Sequence, residues 1–199
     1  MKENMKTIGS KIDPNETLVL FADLQAGIAD LPLTVSYQNL QKGVLALSRL
    51  ARLFDLPVIV SAVMGQDGSA AKIMPEISQG LGELPIYYRT TADSFANESI
   101  KNAIAATGRK TILISGVATE LAVQLPALTG AELGYRVFVV VDATGGVSQR
   151  TEEAAFRRIV QSGASTVSVV TLAGEMAGDF TESKAQEAIA ILFEMVGNS

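Results

Sequence analysis

The chain has 199 residues, of which 48% are hydrophobic and 19% charged, with a formal net charge of −5. This acidic balance argues against a general nucleic-acid binder and against a polybasic membrane-surface protein. Because the chain contains no cysteine and no histidine, it excludes disulfides, thiol nucleophiles, histidine–metal sites and Ser-His-Asp triads. Catalysis would have to come from carboxylates, basic side chains, hydroxyls and backbone N–H groups.

The length predicts one domain, residues 1–199, in which residues 1–12 form a surface lead-in. No apolar run approaches the roughly 18 residues that a membrane span needs. Residues 1–6 also lack the apolar core of a signal peptide. We therefore expect a cytoplasmic protein that has no membrane partner.

Short apolar runs predict strands, and apolar residues at helical spacing predict helices between them. In chain order the predicted elements are strand 17–22, helix 37–54, strand 57–63, a short helix within 70–84, strand 86–88, helix 94–106, strand 111–115, helix 119–133, strand 137–141, helix 151–163, strand 165–170 and helix 182–196. Strands that alternate with helices favour a parallel sheet covered on both faces. The prediction is an α/β fold, a three-layer αβα sandwich with a mostly parallel sheet.

Candidate functional residues follow three of the predicted strands. Asp23 ends the first strand, Arg89 follows strand 86–88, and residues 116–120 join strand 111–115 to a helix. Ligands of open α/β sheets bind at this carboxyl edge, and a helix N-terminus favours anions there. Each residue also has a structural alternative: Asp23 as a turn residue, Arg89 as a surface charge or ion-pair partner, and Thr119 as a helix cap.

Several motifs together resemble one family. They are Asp23-Leu24-Gln25, Tyr88-Arg89, Gly116-Val117-Ala118-Thr119-Glu120, Leu133-Gly134-Tyr135-Arg136-Val137 and Asp142-Ala143. In this order they resemble the isochorismatase-like hydrolases, also called the cysteine hydrolase superfamily, over roughly residues 12–196. The chain looks closest to the small YcaC-type bacterial members, which carry arginine at the basic position.

The resemblance implies a catalytic triad of aspartate, a basic residue and cysteine, which maps onto Asp23, Arg89 and Ala122. It also implies a cis peptide bond between Val117 and Ala118 that aims the N–H groups of Ala118 and Ala122 into an oxyanion hole. The neighbouring residues Gln25 and Thr119 would then support the pocket. The implied substrate is a small amide, imide or enol-ether acid, with no cofactor and no metal. The implied assembly is a homo-oligomer, such as an octamer.

The sequence departs from the family pattern at Ala122, which stands where the family has its cysteine. A methyl group cannot attack a carbonyl carbon, so the covalent cysteine mechanism is excluded for this chain. Three interpretations remain open. The chain is an engineered Cys-to-Ala variant of an active hydrolase, an inactive small-molecule-binding or structural homo-oligomer, or an enzyme similar to the true isochorismatases. In those enzymes an aspartate acts as a general acid on an enol ether and no thiol is needed.

Overall fold

The computed structural model describes residues 11–65 and 67–197. Most of the predicted lead-in, residues 1–12, therefore lies outside the described residues. Its last residue, Ile12, is buried in the core rather than on the surface, and its N–H donates to Glu175 Oε2 at 2.9 Å. Within the described ranges, no helix has both the length and the apolar character needed to cross a membrane.

A six-stranded sheet forms the centre of the molecule, and all its neighbouring strands are parallel. The strands are β1 (Thr17–Ala22), β2 (Val58–Ala62), β3 (Ile86–Tyr88), β4 (Thr111–Gly116), β5 (Arg136–Val140) and β6 (Ser165–Val167). Their order across the sheet is β3-β2-β1-β4-β5-β6. The central strands are apolar on both faces, as expected for a parallel sheet that is covered on both sides.

Helices cover both faces of this sheet. They are α1 (Tyr37–Leu53), α2 (Pro75–Leu81), α3 (Glu98–Ala106), α4 (Gln124–Glu132), α5 (Gln149–Gln161), α6 (Val169–Ala177) and α7 (Ser183–Gly197). Alternate residues of β1 enter two separate cores: Val19 and Phe21 pack with α1, α2, α6 and α7, and Leu18 and Leu20 pack with α3, α4 and α5. The prediction of a three-layer sandwich is therefore confirmed.

The predicted strand 165–170 is wrong in its second half. The strand ends at Val167, and residues 169–177 form helix α6. The side chain of Ser168 accepts a hydrogen bond from the Thr171 N–H and caps the helix. The Asp142 carboxylate accepts a second bond from the Val169 N–H, at 2.9 Å. This carboxylate, distant in the sequence, stabilises the first turn of the helix. The pattern of apolar residues near 165–170 does not predict the contact.

The strand order reverses between β1 and β4, which are neighbours at the centre of the sheet. The chain leaves β1 toward α1 on one face and leaves β4 toward α4 on the other face. In α/β proteins, two connections that diverge in this way leave a crevice at the carboxyl ends of the two strands, and ligands bind there; we call this position the β1–β4 crevice. Asp23 and Val117 are the first residues after these two strands.

Candidate active site

The ends of β1 and β4 approach each other closely. Ala22 pairs with Gly116, and the Val117 N–H donates to the Ala22 carbonyl oxygen at 3.1 Å. A Cβ atom at Gly116 would lie 2.3 Å from that oxygen, so only glycine fits there without a shift of the backbone. The pairing therefore holds segment 117–122 beside the start of the Asp23 turn.

Asp23 occupies a left-handed backbone conformation, with φ of 55°. Aspartate enters this region more readily than most residues do. Its N–H donates to the Ser61 carbonyl oxygen at 3.0 Å, which ties the turn to neighbouring strand β2. The turn is thus held by strands on both sides of β1.

Arg89 directly follows β3, two strands from β1, and its side chain reaches Asp23. Its Nη2 donates to Asp23 Oδ2 at 2.5 Å, and the two side chains are 2% and 11% exposed. Its Nε donates to Ser61 Oγ at 3.0 Å, and its Nη1 donates to the Thr91 carbonyl oxygen. Three acceptors therefore hold the planar guanidinium group, and the surface-charge alternative for Arg89 is wrong because the side chain is buried.

The environment of the Asp23 carboxyl group shifts its pKa above the ordinary value. Burial raises the pKa of Asp23, and the charge and hydrogen bond of Arg89 oppose this shift without cancelling it. The second carboxyl oxygen, Oδ1, is buried and accepts no hydrogen bond from the described residues. A carboxyl group with a raised pKa beside a crevice is a candidate proton donor.

The segment after β4 contains the candidate oxyanion hole. The Val117–Ala118 peptide bond is cis. A single π-helical turn, Thr119–Val123, follows it and leads into α4, and Ala122 within this turn is buried. The prediction of one continuous helix over 119–133 therefore differs from the structure in its first turn.

Thr119 does not cap this helical turn. The residue in the N-cap position is Ala118, and no side chain bonds to the turn there. The Thr119 side chain is buried, and its hydroxyl donates to Glu152 Oε1 at 2.8 Å, while its N–H donates to the Gly145 carbonyl oxygen at 3.0 Å. Thr119 thus connects the turn to α5 and to the loop after β5.

Gln25 connects the loop after β1 to the end of β2. Its Nε2 donates to the Val63 carbonyl oxygen at 3.0 Å, and its Oε1 accepts from the Val63 N–H at 3.1 Å. The side chain is 4% exposed. Both ends of the amide are therefore used inside the protein, and Gln25 stabilises the backbone around Asp23.

Ser61 contacts both Asp23 and Arg89, although it belongs to none of the sequence motifs. The available signal was a lone hydroxyl within the otherwise apolar strand β2. Asp142, which the motif comparison included, serves the N-terminus of α6 instead of the crevice.

Comparison with known proteins identifies the family of this chain. The family described as Isochorismatase domain matches residues 17–171. The probable hydrolase YcaC of Escherichia coli strain K12 is 34% identical over 184 residues, which cover 92% of this chain and 87% of the relative.

Two solved structures are similar over nearly their whole length. The E. coli YcaC gene product, described as an octameric hydrolase of unknown specificity, has a TM-score of 0.86 at 32% identity and covers 94% of this chain and 92% of its own. Pseudomonas aeruginosa YcaC, solved with hexane-2,5-diol and covalent acrylamide, has a TM-score of 0.88 at 31% identity, with coverage of 96% and 94%. The chain therefore belongs to the isochorismatase family, and it is similar to the YcaC-type hydrolases in both sequence and fold.

Proposed function

We propose that this protein is a hydrolase of small enol-ether acids that works without a covalent intermediate and uses Asp23 as its general acid. The observation that supports this most is the Asp23 carboxyl group, which is buried beside the β1–β4 crevice with a raised pKa and one oxygen that lacks a partner among the described residues. Amides and imides are the other substrates that the family resemblance implies.

The absence of a nucleophile favours the enol ether over the amide. The amide-cleaving members that this chain resembles use a cysteine thiol as the nucleophile. This chain has alanine at position 122 and contains neither cysteine nor histidine. An enol ether needs only a proton on its carbon, because the resulting oxocarbenium ion is attacked by water. A buried carboxyl group with a tuned pKa can supply that proton.

The proposed hydrolysis consumes one water molecule. Asp23 donates its proton to the enol carbon, and water adds to the oxocarbenium carbon and returns a proton to the Asp23 carboxylate. In the hemiketal that forms, the hydroxyl proton passes to the ether oxygen as the bond from the central carbon to that oxygen breaks, which releases a ketone and an alcohol. Arg89 supports this cycle because its charge, 2.5 Å from Oδ2, stabilises the carboxylate formed by the first step.

The remaining parts of the site have supporting roles in this proposal. The N–H groups of Ala118 and Ala122 would face the substrate oxygen, while Gln25 and Thr119 stabilise the backbone around them. No cofactor and no metal ion takes part. A homo-oligomer is the proposed assembly, and the octameric state of the E. coli relative supports it.

The experiment compares wild-type protein with Asp23→Asn on a panel of enol-ether acids. We expect a loss of turnover of about 100-fold or more, since general acid catalysis contributes about 10²–10⁴-fold. Glu76→Gln is the matched control, because Glu76 is also a buried carboxyl residue with an oxygen that lacks a partner, and it lies on α2. It should retain turnover. Equal turnover of wild type and Asp23→Asn would refute the proposal.

Ala122→Cys separates the remaining interpretations. Amidase activity that appears only in this variant would identify the pocket as that of a disarmed cysteine hydrolase. Ligand binding without turnover in either protein would identify an inactive binding protein. If the wild-type chain hydrolyses no enol ether, either of these outcomes contradicts the proposal that Asp23 acts as a general acid.

A further inference from the structure

We propose that Ser61 is the positioning residue that holds the Arg89 guanidinium group against the Asp23 carboxyl group. Its effect on catalysis rests on the proposed function, but its effect on the Asp23 carboxyl group does not. Ser61 lies on β2, between the strand that precedes Asp23 and the strand that precedes Arg89. Its partners across the sheet are Ala22, the residue before Asp23, and Tyr87, two residues before Arg89.

Ser61 contacts each partner through a different group. Its carbonyl oxygen accepts the Asp23 N–H at 3.0 Å, and its hydroxyl oxygen accepts the Arg89 Nε–H at 3.0 Å. Ser61 is 1% exposed and Arg89 is 3% exposed. Because both groups are buried, water is poorly placed to replace the hydroxyl as the partner of Nε.

The hydroxyl of Ser61 is itself held in place. Its oxygen lies 3.3 Å from Ser94 Oγ, and either hydroxyl can donate in this contact. Ser94 is also fully buried. The pair of serines therefore presents a fixed acceptor to Arg89.

Three acceptors define the plane of the guanidinium group, one for each nitrogen: Ser61 Oγ at Nε, the Thr91 carbonyl oxygen at Nη1 and Asp23 Oδ2 at Nη2. Arginine is a rigid, planar fork, so a change at one nitrogen turns the whole group. Without the Ser61 hydroxyl, Nε would be buried without a partner, which is costly. The guanidinium group would turn to find another acceptor, and its bond to Asp23 would weaken.

The consequence for Asp23 has a definite sign. The positive charge of Arg89 lowers the carboxyl pKa and so limits the rise caused by burial. A guanidinium group that turns away stabilises the carboxylate less, so the pKa of Asp23 rises further. A change of packing alone, with Arg89 still in place, would leave this pKa where it is.

The test titrates the Asp23 carboxyl group in substrate-free protein by carbon-13 NMR, with Asp23→Asn to assign its signal. We expect the titration of Ser61→Ala to move to higher pH and that of Ser61→Thr, which keeps the hydroxyl, to stay near wild type. Ser48→Ala is the matched control. Ser48 is fully buried, and its hydroxyl has no partner among the described residues, so the titration should not move.

Activity provides the second measurement. Ser61→Ala should lower kcat by about 10- to 100-fold, because a misplacement of about 1 Å can cost that much, and the limb of the pH profile that reports Asp23 should move upward with the NMR titration. If Ser61→Ala does not fold, Ser94→Ala gives the same test with a smaller shift in the same direction.

The two proposals fail in different ways. An unchanged Asp23 titration in Ser61→Ala, together with a raised one in Arg89→Met, would overturn the role of Ser61 and leave the proposed function intact. A raised titration in Ser61→Ala, together with full turnover in Asp23→Asn, would support the role of Ser61 and overturn the proposed function.

Discussion

Gly116→Ala tests the close contact on which the candidate site depends. Gly116 is the last residue of β4 and pairs with Ala22 of β1. An added Cβ atom would lie 2.3 Å from the Ala22 carbonyl oxygen and 3.1 Å from both its carbonyl carbon and its Cβ. These atoms are the backbone and the Cβ of Ala22 in a buried strand, so no side-chain rotation can move them away.

The size of the effect follows from these distances. To reach an ordinary van der Waals contact, the two strand ends must separate by about 1 Å. Overpacking of a well-packed core costs typically about 1–3 kcal/mol. We expect a loss near 3 kcal/mol in the free energy of unfolding, because backbone atoms must move. For a chain of this size that loss lowers Tm by about 6–12 °C.

The assay is urea unfolding followed by circular dichroism at one fixed protein concentration, since self-association would otherwise change the apparent stability. Gly174→Ala is the matched control, because a Cβ there would meet nothing within 4 Å and the residue lies inside helix α6. This variant should be more stable by about 0.5–1 kcal/mol. Equal unfolding midpoints for Gly116→Ala and wild type would refute the argument from close contact.

Three further predictions concern other contacts of the site and its support. Since burial raises the folded-state pKa of Asp23 above 3.8, the folded protein binds more protons than the unfolded chain above that pH. The contribution of Asp23 to stability therefore falls as the pH rises through its folded pKa, and the stability of Asp23→Asn relative to wild type should rise with pH from about 3.8 until the folded pKa is passed; a constant difference in urea unfolding would contradict this. Asp142→Ala should destabilise the protein by about 1 kcal/mol through loss of the bond to Val169, whereas Asp142→Asn should keep most of that stability in the same assay. Thr119→Val should cost about 1 kcal/mol through loss of the bond to Glu152, and a double-mutant cycle with Glu152→Ala that shows no coupling would argue against it.

The layers of the fold were predictable because they depend on local patterns. Apolar runs such as 17–22 have the length of a buried strand, and apolar residues at helical spacing mark α1 and α5. The boundary at Val167 was not predictable in this way. A short stretch such as 165–170, in which valines are mixed with hydroxyl residues, suits a strand or a helix start, and the carboxylate that favours the helix comes from Asp142, 27 residues earlier than Val169.

The candidate site, like the fold, has features that the local sequence predicts and features that depend on distant contacts. The chemical groups can be read from the sequence: a strand-end aspartate, an arginine, an alanine at position 122 and no thiol or imidazole. The contact between Asp23 and Arg89, and the bonds of both to Ser61, arise from the folded chain. These contacts depend on the strand order, which places β2 between β1 and β3. The raised pKa of Asp23 likewise depends on burial, which is a property of the packed layers and not of the neighbouring residues in the chain.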